Sequence, residues 1–219
     1  MTSTPDAGKL RFTPARCYIE PMNHLFSSTK GRPSTQAAEG LPRWRWTVAE
    51  MERLAAAGLF ADCDRFELVG GEMVPMSPKG RRHKLIRVEL SYRWSRAVSE
   101  NVMVAAEPQF NLDAETYLNP DILVHPRSTA TYDLRGSEAL LVVEIAETSL
   151  NYDLKMKSSL YAANGVPEYW VINAVTLQTT VHRRPSQQGY ATSEVVPADA
   201  VLVLSLLPEL AIALSALTL

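Results

Sequence analysis

A single carboxylate, Glu144, interrupts the apolar run LLVVEIA at residues 140–146, and it constrains the fold more than any other residue. Such a run reads as a central strand buried on both faces. An unpaired ionised side chain there would cost several kcal/mol, as much as the net stability of many domains. The fold must therefore supply a compensating group. Upstream, LNPDILV puts Asp121 directly after Pro120 at the opening of a second apolar strand, a position where the missing proline N–H is tolerated. Downstream, YDLKMKSSLYAANGVPEYW places Lys157 on a short helix. Two strand carboxylates and a lysine suit a divalent-metal phosphodiester site.

The charge distribution bears on that reading. The formal net charge of −2 hides a split: residues 1–45 carry seven Lys/Arg against three Asp/Glu, and the remainder carries 15 against 21. An acidic body is not built for strong non-specific binding of nucleic acid, so such binding needs a local basic patch or the basic leader. Cys17 and Cys63 sit in no metal or redox spacing. With no apolar stretch of signal-peptide length at the N-terminus, the expected compartment is the cytoplasm. The apolar run 201–219 is broken by Pro208 and Glu209, which points to core and not to a membrane span.

Residues 1–43 hold scattered Pro, Ser, Thr and Gly without periodicity, the profile of a flexible N-terminal extension. One α/β (α+β) domain is expected over residues 44–219. It opens at WTVAEMERLAAAG, where Thr47 can cap a helix with Glu50 three residues on. RFELVGGEMVPM alternates around Gly70 and Gly71 like a hairpin. A helix is predicted over residues 81–99, then three strands, NVMVAAEPQFNL, NPDILV and ALLVVEIA. A second helix follows over 152–164, then the strand PEYWVINA and a hairpin from TTVHRR to GYATSEVV. The core order is α-β-β-β-α-β, with a central mixed sheet flanked by helices and additional hairpins.

That order, with Pro-Asp opening one strand and Glu in the next, resembles the PD-(D/E)xK nuclease superfamily and its restriction-endonuclease-like core. FELVGGEM, the His of the first core helix, NPDILV, LLVVEIAETS, the Asp-x-x-x-Lys-x-x-x-Tyr run and GVPEYWVIN resemble, more narrowly, the bacterial Uma-type restriction endonuclease family, a domain of unknown function. The resemblance covers residues 46–219. It implies that Asp121 and Glu144 ligate Mg²⁺ or Mn²⁺, that Glu67 reaches the metal as an outer carboxylate unless it is only a surface charge of the hairpin, and that Lys157 acts on the attacking water and the transition state. It also implies DNA as partner and a homodimer. One departure stands out: Ala146 occupies the place, two after Glu144, where the superfamily signature has lysine.

Helical spacing supports Lys157 as the replacement, because Asp153, Lys157 and Tyr161 recur at i, i+4 and i+8 while Lys155 does not share their face. An ordinary Asp153–Lys157 surface pair, worth a few tenths of a kcal/mol, is the plainer alternative. Asp121 and Glu144 have a structural alternative as well, carboxylates satisfied by backbone amides or an arginine. His83 points inward with Ile86 and Leu90, as a satisfied core histidine also would. Gln109, Tyr161 and Glu168 can hydrogen-bond the lysine or a metal-bound water, or simply pack. Arg81, Lys84 and Arg87 offer a cationic helix face to phosphates, or only a solvated face.

Three functions compete. The first is a metal-dependent endodeoxyribonuclease. The second, motivated by Ala146 and the acidic body, is a weak or inactive nuclease-fold module that binds nucleic acid or a protein. The third is a two-carboxylate glycosidase, which would need neither lysine nor metal.

Overall fold

The computed structural model describes residues 44–60 and 65–219; the expected extension over residues 1–43, and Cys17 and Cys63, lie outside them. Helix α1 (Val48–Ala56) starts on a capping box, in which Thr47 Oγ1 accepts from Glu50 N at 3.2 Å and Glu50 Oε2 accepts from Thr47 N at 2.8 Å. Strands β1 (Phe66–Val69) and β2 (Glu72–Pro75) form the expected hairpin. Its two-residue turn needs positive φ at both positions, and Gly70 and Gly71 supply φ of 54° and 79°.

Helix α2 (Arg81–Ala97) buries His83, Ile86, Leu90 and Trp94 along one stripe. Strands β3 (Val102–Ala106), β4 (Phe110–Asp113), β5 (Thr116–Leu118), β6 (Ile122–Pro126) and β7 (Leu141–Ala146) follow. The chain then passes through α3 (Leu150–Tyr152), a π-helical turn (Asp153–Lys157) and α4 (Ser158–Ala163) before β8 (Glu168–Asn173), β9 (Thr179–Ser186) and β10 (Gly189–Val196). Short strands β11 (Val201–Leu202) and β12 (Ile212–Ala213) pair near the C-terminus. The main sheet is mixed, in the order β10-β9-β8-β7-β6-β3, and only β7 and β8 run parallel. That parallel pair requires a crossover, which the interrupted helix provides. A second, antiparallel sheet has the order β2-β1-β5-β4.

The expected strand NVMVAAEPQFNL is in fact two strands in different sheets, with β5 as an unanticipated partner for the second. β3 pairs β6 in the main sheet and β4 pairs β5 in the small one, so the chain from Val102 to Pro126 is one long hairpin bent across both sheets. The bend falls at Glu107 and Asp121, joined by Glu107 N to Asp121 O at 3.1 Å. Pro108 and Pro120 flank the corner and remove ladder donors, and Glu107 turns it at φ 50°, a left-handed conformation rare outside glycine.

The alternation of β7 divides the core. Val143 and Ile145 pack with Ile86, Leu90 and Trp94 of α2, and with Leu202, Leu204, Leu210, Leu214 and Leu217 of the apolar C-terminal run. Val142 and Ala146 face Phe110, Tyr161 and Tyr169 on the opposite side. Leu140, just before the strand, packs with the α2 layer. Each fully buried aliphatic side chain contributes about 1.5–3 kcal/mol, so β7 is held firmly on both faces. Among the described residues no helix is long and apolar enough to cross a membrane.

Candidate active site

Glu144 belongs to the face of β7 that meets the crossover helix, and the helix supplies its counter-charge. Lys157 Nζ donates to Glu144 Oε1 at 2.9 Å and to Glu67 Oε1 at 2.8 Å, and lies 3.9 Å from Asp153 Oδ1. Tyr161, fully buried one helical turn further, donates its hydroxyl to Glu144 Oε1 at 3.1 Å. The π turn builds this arrangement: Ser158 N bonds back to Asp153 O, five residues away. Within it Asp153 and Lys157 are buried, while Lys155 and Met156 face solvent.

Glu67 comes from the small sheet, and its Oε1 also accepts the backbone amide of Asn119 at 3.0 Å. Three buried carboxylates, Glu67, Glu144 and Asp153, thus share one ammonium. Burial and the neighbouring Asp153, Asp121 and Glu67 hold the Glu144 carboxyl well above its ordinary range, with Lys157 opposing them. Burial raises Asp153 too, against Lys157 and Ser149, whose hydroxyl donates at 2.6 Å. Burial would lower Lys157, but Glu144, Glu67 and Asp153 outweigh it, so its ammonium is held charged.

Asp121 is the next residue in the row. Ile122 pairs with Val143, so Asp121 falls opposite Glu144, as Glu107 falls opposite Asp121 beyond the Ala106–Ile122 pair. Glu107, Asp121 and Glu144 therefore occupy one row across three neighbouring strands, just past the end of β3, just before β6 and within β7. Asp121 Oδ2 accepts Ile145 N at 2.7 Å and lies 2.9 Å from His83 Nε2, and Oδ1 is paired with Lys79. Burial pushes the Asp121 carboxyl up, yet His83 and Lys79 outweigh it and bring it to about 2. For Glu107, burial is likewise outweighed by hydrogen bonds from Lys79 and Arg65, again giving about 2. One half of the site carries surplus negative charge and the other surplus positive charge.

The structure thus gathers Asp121, Glu144, Lys157, Glu67, His83, Asp153 and Tyr161. It does not gather Gln109, whose amide reaches Asn111 Oδ1 at 2.9 Å and Glu52 Oε1 at 3.4 Å. Nor does it gather Glu168, which serves Trp170 Nε1, Arg183 and Ser205 N at 2.7–3.0 Å on the sheet's other face. Arg81 and Lys84 are exposed on α2, whereas Arg87 turns in to pair with Glu107. Sequence reasoning missed Glu107, Lys79, Arg65 and Tyr152. The Glu-Pro dipeptide inside an apparent strand was the available signal for Glu107, since a proline there marks a break. Tyr152 stacks under the ammonium, 5.9 Å from ring centroid to Lys157 Nζ, and its buried hydroxyl has no partner.

Among the described residues no group of three or more His, Cys, Asp or Glu side chains converges to hold a metal ion. The donor set nevertheless fits a hard divalent cation in kind, since it offers carboxylate oxygens with surplus negative charge around one ammonium. Both Asp121 oxygens and Glu144 Oε1 already accept protein donors, so an ion there would compete with Lys79, His83, Ile145 N, Lys157 and Tyr161 for them.

The model of the Uma2 family, described as "Putative restriction endonuclease", matches residues 48–215. Among solved structures, the chain is similar to the crystal structure of "a putative nuclease belonging to DUF820" from Anabaena variabilis ATCC 29413, at 19% identity and a TM-score of 0.63. The match covers 78% of this chain and 97% of that one. No curated protein matches significantly.

Proposed function

Because the chain belongs to the Uma2 restriction endonuclease family, we propose that it is a metal-dependent endonuclease that hydrolyses phosphodiester bonds in DNA. The observation that carries this is a buried lysine shared by two carboxylates from different sheets, beside a third carboxylate one strand away. A structural ion pair would not need that surplus negative charge, which is costly when buried.

Asp121 and Glu144 would hold Mg²⁺ or Mn²⁺, with Glu67 behind them. When bound, the ion supplies a Lewis acid for the phosphate and a bound water that ionises more readily. The remaining work falls to the chain. His83 and Ile145 N fix the Asp121 carboxylate, already ionised, in the row. Glu67, itself held by Asn119 N, positions Lys157. Held charged, Lys157 orients water and screens negative charge developing on the phosphate, and it is not the base.

Supercoiled plasmid and short duplex and single-stranded substrates, incubated with Mn²⁺, Mg²⁺ or EDTA, test the reading. Metal-dependent nicking by the wild type, lost in Asp121→Asn and Lys157→Met, is expected. Undiminished cleavage by Asp121→Asn would overturn it. The protein ligands on Asp121 and the residue Ala146 favour a second reading, an inactive nuclease-fold module. Folded wild type that binds DNA yet cuts none under any metal would establish that one.

A further inference from the structure

We propose that Arg65, Lys79 and Arg87 form a clamp for a backbone phosphate of the nucleic-acid strand, and that Glu107 occupies this clamp in the free protein. The inference rests on the nuclease reading for its ligand class, and on the geometry for its position.

All three cations converge on one oxygen. Glu107 Oε1 lies 3.0 Å from Arg65 Nη2, 2.8 Å from Lys79 Nζ and in contact with Arg87 Nη1. They arrive from separate places: the residue before β1, the loop before α2, and the second turn of α2. Three charged donors exceed the acceptor capacity of one carboxylate oxygen, as well as its charge. A phosphodiester carries the same single charge on two non-bridging oxygens, and guanidinium forks match it well.

Glu107 is also placed to leave. Its side chain is 24% exposed, against 2% for Asp121. Lys79 bridges Glu107 and Asp121. A phosphate oxygen taking over from Glu107 would therefore sit beside the carboxylate row. In a body with 15 basic against 21 acidic residues beyond residue 45, a local cation cluster is what backbone binding requires. Glu107 keeps that cluster partly neutralised until a strand displaces it.

The test is fluorescence anisotropy with a labelled DNA duplex, in EDTA so that nothing is cut, over a range of KCl concentrations. Glu107→Gln keeps the side-chain shape and should tighten binding about fivefold or more relative to Glu147→Gln, with a salt slope steeper by about one. The control removes the same charge at an exposed residue next to Gly80, just outside the clamp. Arg65→Ala and Arg87→Ala should weaken binding and flatten the slope. Glu107→Gln no tighter than Glu147→Gln, or unchanged affinity in Arg87→Ala, would overturn the clamp. No duplex binding by the wild type or by Glu107→Gln even at low KCl would overturn its assignment to nucleic acid. Because the readout is binding without metal, tightening with no cleavage by the wild type in Mn²⁺ would defeat the nuclease reading and leave the clamp. Cleavage without tightening would do the reverse.

Discussion

Ile145 donates its backbone amide to Asp121 Oδ2 at 2.7 Å, one residue past Glu144 on the same strand. Asp121 is therefore fixed by β7 itself, and the two carboxylates cannot move independently. Their repulsion is built into the strand pairing, where it helps to raise the proton affinity of Glu144.

The lysine is the keystone of stability. Lys157→Met leaves Glu67, Glu144 and Asp153 buried without their cation, and breaking such a pair costs about 3–5 kcal/mol. The melting temperature in EDTA should fall by about 10 °C. Glu144→Gln keeps acceptors for Lys157 and Tyr161 while removing one surplus charge, so it should melt a few degrees higher than wild type. A lysine variant that melts like wild type would mean the network carries no stability.

Stability should depend on pH in two opposing ways. Asp121 and Glu107 bind protons less readily when folded, at about 2, so their contribution is present above the ordinary carboxylate range and is lost as pH falls toward 2. Glu144 and Asp153 bind protons more readily when folded, so theirs is present at acid pH and is lost as pH rises past the ordinary range. Thermal melts in EDTA should show a maximum at mildly acidic pH. Glu144→Gln should flatten the decline on the neutral side; an unchanged decline would assign it elsewhere.

A divalent ion should stabilise the native state by relieving the same repulsion. At a hundredfold excess over its dissociation constant the gain is about 2.7 kcal/mol. The melting temperature of wild type should climb with added Mn²⁺, and much less in Asp121→Ala or Glu144→Ala. Equal shifts in all three would refute a metal site at these residues.

Glu168 provides the contrast. Its carboxylate accepts from Trp170, Arg183 and the Ser205 amide, joining β8 to β9 and the C-terminal segment. Glu168→Ala should cost about 2–4 kcal/mol through stranded buried donors and leave the Mn²⁺ response intact. Loss of that response would tie Glu168 to the site.

How much of this was legible follows from where each residue sits. Glu144 and Asp121 betrayed themselves because an apolar strand makes a carboxylate conspicuous, and Lys157 because helical spacing grouped it with Asp153 and Tyr161. The same logic misled for Glu168: a buried strand carboxylate looks alike whether it faces the site or the opposite layer. Glu107, Lys79 and Arg65 lie at strand ends and in loops, where no periodicity marks a side chain. Only the pairing of bent strands brings them together. Nor did residue spacing show the π turn, since positions i and i+4 stay near one face in either helix.

That turn gives the site two parts of different stiffness. The carboxylate row is anchored in a sheet packed on both faces, while Lys157 stands where the regular i to i−4 ladder is interrupted. In mechanical terms, one jaw is rigid and the other compliant. On the proposed nuclease reading, the ammonium would follow a phosphate by small changes in its own turn, while the row opposite keeps its register. Amide hydrogen exchange should be faster within residues 154–158 than in β7.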